Sequence, residues 1–201
     1  MMEVKDRNIL DKFCTDFCKI VEKHCKYAVV SGFVAISSGR TRGTEDIDII
    51  LEKISLGIFG ELHKDLVQNE FECIQTDNYK EMYNNYLKTG VSLRYIRRDI
   101  ELPQMEVKMS KDELDDYQIG TRIKLPKTGL DVWFSSINMN IAFKEYNLGG
   151  KKDFEDAIHL RKIYPELVDE SEIDKIRRML EKYRSVDYEN YKKIREKYPL
   201  P

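Results

Sequence analysis

The sequence predicts an α/β (α+β) fold, a mixed sheet flanked by helices, followed by a C-terminal helical region. Three observations carry this expectation. Segments with strand and helix periodicity alternate over the first two thirds of the chain. From Ile137 onward only helical periodicity remains. No repeat, low-complexity stretch or flexible linker separates the two parts, so residues 1–135 are read as a core and 136–201 as a helical region packed on it. With 41% hydrophobic and 35% charged residues, the 201-residue chain has material for a core and for a strongly charged surface.

Taken in order, residues 6–25 read as an amphipathic helix, because Ile9, Phe13, Phe17 and Val21 recur every four positions between charges. Ala28 to Val30 is a short buried strand. Ser31-Gly32 breaks it, and Phe33 to Ser38 forms a short helix that Gly39 ends. Arg40 to Glu45 is a polar loop, and Asp46 leads into a strand through Leu51. A helix over 54–69 and a strand over 71–75 follow, then a helix over 78–87 and strands over 91–97 and 105–109. Thr121 to Leu125 and Leu130 to Phe134 are expected to form a hairpin about the turn-type sequence Pro126-Lys127-Thr128-Gly129. Helices are expected over 137–146, 152–163 and 171–197, with Ser171 and Asp174 forming a capping box.

The net charge of −2 gives no global reason to bind nucleic acid or membrane. No apolar run approaches the ~20 residues of a membrane-spanning helix. The opening MMEVKDRN lacks an apolar signal core, so a cytoplasmic location is expected. Cys14, Cys18, Cys25 and Cys73 show no CxxC spacing and the three histidines are scattered, which argues against zinc and reads the cysteines as small core residues. His159 reads as a packing or surface residue. Residues 175–198 hold nine Lys/Arg against four Asp/Glu, with Tyr183, Tyr188, Tyr191 and Tyr198 interleaved. That surface either holds RNA by phosphate contacts and stacking or is a packed helix with a solvated outer face.

The segment Tyr27 to Leu51 carries the chemistry. Asp46 and Asp48 lie one residue apart in an apolar strand, so both carboxylates point to the same face, ~6–7 Å apart along it. Two anions this close repel, and hard oxygen ligands suit Mg2+ or Mn2+ between them. Upstream, Ser31-Gly32 opens a helix N-terminus, where free backbone N–H groups favour phosphate, and Gly32 leaves room for close approach. The loop between carries Arg40, Arg42 and Thr44. A phosphate cradle beside a carboxylate pair is equipment for phosphoryl or nucleotidyl transfer. The bland alternative pairs Asp46 and Asp48 with Arg40 and Arg42 on a plain strand edge.

This order of parts resembles the minimal nucleotidyltransferases of the DNA polymerase β superfamily, most closely the AbiEii-like branch. Arg42-Gly43-Thr44-Glu45-Asp46-Ile47-Asp48 matches that branch's Arg-x-Thr-x-Asp-h-Asp string position by position. Ser31 departs from it, standing where the family has glycine. A second match is Asn140 to Lys144 followed by Lys152-Asp153-Phe154-Glu155-Asp156-Ala157. The resemblance covers roughly residues 27–163 and implies a nucleotidyltransferase-like mixed sheet. It implies that Asp46 and Asp48 hold a metal, and that a third carboxylate completes the site. By chain order that is Glu106, with Asp131 as the alternative. Ser31, Gly32, Arg42 and Thr44 would bind the nucleotide, Lys144 its phosphates, and Lys152 and Asp156 would line the cleft; Asp153 reads as a helix N-terminal acid.

The implied activity is metal-dependent transfer of a nucleoside monophosphate from an NTP to a hydroxyl of RNA or protein. The branch includes toxins, so a toxin-like role is open; an antitoxin partner is not readable from one chain. The alternative is a catalytically silent nucleotide-binding regulatory module of the same fold, and a third is an RNA-binding protein driven by the C-terminal helix.

Overall fold

The computed structural model describes residues 4–186 and 188–197; Tyr198 of the tyrosine-rich C-terminal pattern lies outside them. Helix α1 (Val4–Val21) leads to β1 (Tyr27–Val30), α2 (Gly32–Ser37), β2 (Asp46–Leu51), α3 (Leu56–Gln68) and β3 (Phe71–Cys73). Helix α4 (Tyr79–Glu81) continues through a π turn, Met82–Tyr86, and a 3-10 turn, Leu87–Thr89, into β4 (Leu93–Arg97) and β5 (Ile100–Met109). Then come α5 (Glu113–Gly120), α6 (Ile137–Ala142), a π turn (Phe143–Leu148), α7 (Lys151–Ile163), α8 (Glu170–Tyr183) and α9 (Tyr188–Lys197).

The strands form one mixed sheet in the order β1-β2-β5-β4-β3, in which β2 and β5 run parallel and the other neighbours antiparallel. Alternation divides its two faces. On one, Ile47 and Ile49 pair with Met105 and Val107, and Leu93 and Tyr95 complete a buried layer. Helices α1 and α3 cover this face. Phe17 stands edge-on to Phe71 and Tyr95, with ring centroids 5.0 and 5.6 Å away. Ile9, expected on the same stripe, is exposed instead, and Leu10 takes the buried place at that turn. On the other face, Asp46, Asp48 and Ile50 lie beside Gln104, Glu106 and Lys108. The C-terminal helices reach this polar face, α5 touching β1, β2 and α8.

Several sequence expectations are corrected. The hairpin over 121–134 does not form. Ile123 and Phe134 make one isolated bridge about a 3-10 turn, Pro126–Thr128, that Gly129 ends at φ 73°. The second arm is drawn to β1 instead, where Val29 donates to the Trp133 carbonyl and accepts from the Ser135 N–H. The helix over 171–197 is two helices, since Arg184 is extended and binds Asp112 and Asp115. Its cap is Asp169, which accepts from the N–H groups of Ser171 and Glu172, rather than Ser171 itself. Helix α5 was not anticipated. It lacks an apolar stripe and starts on Asp112, whose carboxylate caps Leu114 and Asp115. Among the described residues no helix is long and apolar enough to cross a membrane.

Phe17 is fully buried where helix and sheet meet. Phe17→Ala is expected to cost about 3–5 kcal/mol, read as a lower urea midpoint at unchanged slope; a loss under about 1 kcal/mol would show that the aromatic layer is not what joins α1 to the sheet.

Candidate functional site

The parallel register of β2 and β5 sets Asp48 directly beside Glu106, with Asp46 two residues along the same face. The two neighbouring acids are driven in opposite directions. Burial pushes the Asp48 carboxyl up; the charge of Lys108 and a hydrogen bond from Ser31 oppose this, and the charges of Glu106 and Asp46 add to it. At Glu106 burial also works upward. It is overcome by hydrogen bonds from Lys108 and Ser92 and by the charges of Lys108 and Arg94, which hold the carboxyl below its usual range. Lys108 Nζ lies 2.9 Å and Ser92 Oγ 2.8 Å from Glu106 Oε1. Lys108 was not singled out in the sequence. The available signal was its place two residues after Glu106, hence on the same face.

Among the described residues no group of three or more His, Cys, Asp or Glu side chains converges tightly enough to hold a metal ion. Asp46, Asp48 and Glu106 share one face, but Glu106 is turned to an ammonium. The donor set is all carboxylate oxygen, and the charge of its central member is disfavoured by burial and then by like charge, so it suits a hard divalent cation in kind. Asp131, the alternative third acid, is exposed and paired with Lys124 at 2.8 Å, outside any strand.

Ser31 takes a left-handed backbone, φ 65°, ψ −137°. That region favours glycine and costs a serine of order 1–3 kcal/mol. Here the serine hydroxyl donates to Asp48. At Gly32 the missing side chain matters directly. A Cβ there would lie 1.9 Å from an Arg42 guanidinium nitrogen. Arg42 therefore rests over the start of α2, and its buried Nε has no hydrogen-bond partner. A donor left unpaired over a helix start suits an anion. Thr44 is engaged locally, its hydroxyl donating to the Asp46 carbonyl at 2.9 Å.

Asp156 is fully buried and does not line the cleft. Lys144 Nζ donates to it at 2.8 Å, Arg40 Nε at 2.9 Å, and Arg42 approaches to 3.3 Å. It is the counter-anion of the cations rather than a ligand-facing group. Lys152 is exposed on the first turn of α7 and is not among the cleft-lining residues, because the helix turns its Asp156 face inward. Lys144 is buried and lies between Asp156 and the cavity. His159 bonds the Ser38 carbonyl and serves packing.

A cavity of about 280 Å³ lies against this face. Ser31, Asp48 and Lys108 form its sheet side, and Gln118, Phe143 and Lys144 its helical side. Gln118 is a further lining residue that the sequence reading missed, because α5 was missed. The basic residues of α8 and the turn after it are engaged in ion pairs: Arg177 and Arg178 bind Asp174, Lys182 binds Glu113, and Arg184 binds Asp112 and Asp115.

No protein-family model matches the chain, and no curated protein sequence does. The solution structure of the antibiotic-resistance factor ANT(2'')-Ia, an aminoglycoside nucleotidyltransferase, is similar with a TM-score of 0.51 at 14% identity. The match covers 94% of this chain and 100% of that one. At that identity the likeness concerns the fold: a nucleotidyltransferase-like mixed sheet flanked by helices. The AbiEii-like branch finds no support in these comparisons.

Two outcomes follow from the electrostatics. A carboxyl whose pKa is raised in the folded state costs stability above the raised value and costs nothing below the ordinary aspartate value. Asp48→Asn is therefore expected to raise the melting temperature at pH 7, with the gain shrinking as pH falls through that window. A lower melting temperature at pH 7 would contradict the cost of burying the Asp48 charge beside Glu106 and Asp46. Asp156→Ala leaves buried Lys144 without its partner and is expected to cost about 3–5 kcal/mol by urea unfolding.

Proposed function

We propose that the protein is a divalent-metal-dependent nucleotidyltransferase that moves a nucleoside monophosphate from an NTP to a hydroxyl of RNA or protein. The carrying observation is the register that puts Asp48, which lines the cavity with Ser31 and Lys144, beside Glu106, with Asp46 two residues along the same face. Asp46 and Asp48 would hold Mg2+ or Mn2+, with Glu106 exchanging Lys108 for the ion. Such a cation neutralises charge on the phosphates and on the entering and leaving oxygens.

The chain's own groups supply the rest. The Arg42 guanidinium fills the space beside Gly32 and adds positive charge behind Ser31, which itself lines the cavity. Lys144 and Lys108 place positive charge on both sides of the cavity. Glu106, ionised and accepting from Ser92, would take the proton of the acceptor hydroxyl. The hydroxyl oxygen bonds to the α-phosphorus, the bond to the β-phosphate oxygen breaks, and pyrophosphate leaves. A toxin-like role with an antitoxin partner belongs to this same reading.

A second reading, a silent nucleotide-binding module, is favoured by the hold of Lys108, Ser92 and Arg94 on Glu106. It predicts nucleotide binding without pyrophosphate release.

Incubating the protein with each α-labelled NTP, Mg2+ and total RNA or protein is expected to label one acceptor class. Asp46→Asn and Asp48→Asn should each lower labelling roughly 100-fold or more while circular dichroism stays native. Transfer by Asp46→Asn at the native rate would refute the proposal.

A further inference from the structure

Gln118 lies on α5 and is 4% exposed. Its amide nitrogen donates to Ser135 Oγ at 2.9 Å, and its carboxamide oxygen is buried without a hydrogen-bond partner. It lines the same cavity as Asp48, Ser31 and Lys144. The neighbouring polar groups there are engaged. Asn140 donates to the carbonyls of Ser135 and Ser136, and Asp115 receives Arg184 and the Lys111 N–H. An acceptor in such a place is costly until a donor reaches it. Ile50, Met109, Phe143 and Leu148 give the cavity an apolar part of its lining, beside charged groups such as Lys108 and Arg184. Apolar walls with an aromatic ring suit a flat heterocycle better than a sugar.

We infer that the helical side of the cavity is the base subsite of the nucleotide, and that Gln118 selects bases carrying an exocyclic amine. This rests on the nucleotidyl-transfer reading for what binds the sheet side. Adenine, cytosine and guanine each offer an amine to the Gln118 oxygen. Uracil has none; its one ring donor on that edge, N3–H, stands between two carbonyls, so presenting it to the Gln118 oxygen also sets a carbonyl beside that acceptor.

The test is calorimetric titration of the native protein with ATP, CTP, GTP and UTP, repeated with Gln118→Met and Gln118→Glu. At least one amine-bearing nucleotide is expected to bind roughly tenfold tighter than UTP, the discrimination of one buried hydrogen bond. Methionine keeps the length and removes the acceptor, so it should close that gap while leaving UTP affinity unchanged. Glutamate keeps an acceptor and should preserve the gap. If the methionine protein does not fold, the native ranking and the glutamate protein still decide. Native UTP affinity equal to the best amine-bearing nucleotide, or a gap that survives methionine, overturns the assignment. The expected ranking without pyrophosphate release would leave the base subsite standing and remove the transferase reading. Failure to bind any NTP removes both.

Discussion

Asp156 is a carboxylate with no access to water, and it is met by Lys144, Arg40 and Arg42. An isolated carboxylate so placed would cost several kcal/mol in desolvation alone, so its position is tenable only while those cations stay on it. The three come from distant parts of the chain: two from the loop after α2, one from the π turn after α6, with Asp156 itself on α7. Satisfying one buried charge therefore docks the helical region against the strand–turn–helix that begins at β1. The cavity is the space left between them. Lys144 can stand at its wall, and Arg42 over Gly32, because Asp156 holds both from behind.

The acid cluster on the sheet obeys an opposite logic. Three carboxylates on one face of adjacent strands are brought together without enough positive charge for all. Lys108 and Ser92 serve Glu106, and Asp48 is left with burial and like charge to contend with. Neighbouring acids pushed apart in this way give one group that stays ionised and one that a cation would relieve. The strained backbone at Ser31 falls at the same spot, where its hydroxyl opposes the upward push on the Asp48 carboxyl.

Much of the fold was legible because periodicity is a local signal. The strands at Val29, Ile49 and Tyr95 form where the pattern placed them, and α1 buries Phe13, Phe17 and Val21 of its marked stripe though not Ile9. Errors arose where a distant partner outbid local preference. Phe134 was read as one arm of a hairpin, and β1 took its backbone instead. Arg184 was read as mid-helix, and two aspartates of α5 drew it out. Helix α5 was invisible to periodicity because its side chains answer to caps and ion pairs rather than to an apolar stripe. Its loss from the reading concealed Gln118 as well.

By itself the sequence determined which residues could share a strand face. A period of two is a property of the backbone, so Asp46 and Asp48 were bound to point together wherever β2 lay. It likewise marked Gly32 and the lysine and aspartate of the second motif. Only the tertiary structure decided which acid stands beside Asp48, since register is a relation between strands and is not written in either one. It also decided that Asp156 is a buried counter-ion and Lys152 a surface lysine, because desolvation depends on what the rest of the chain packs around a charge.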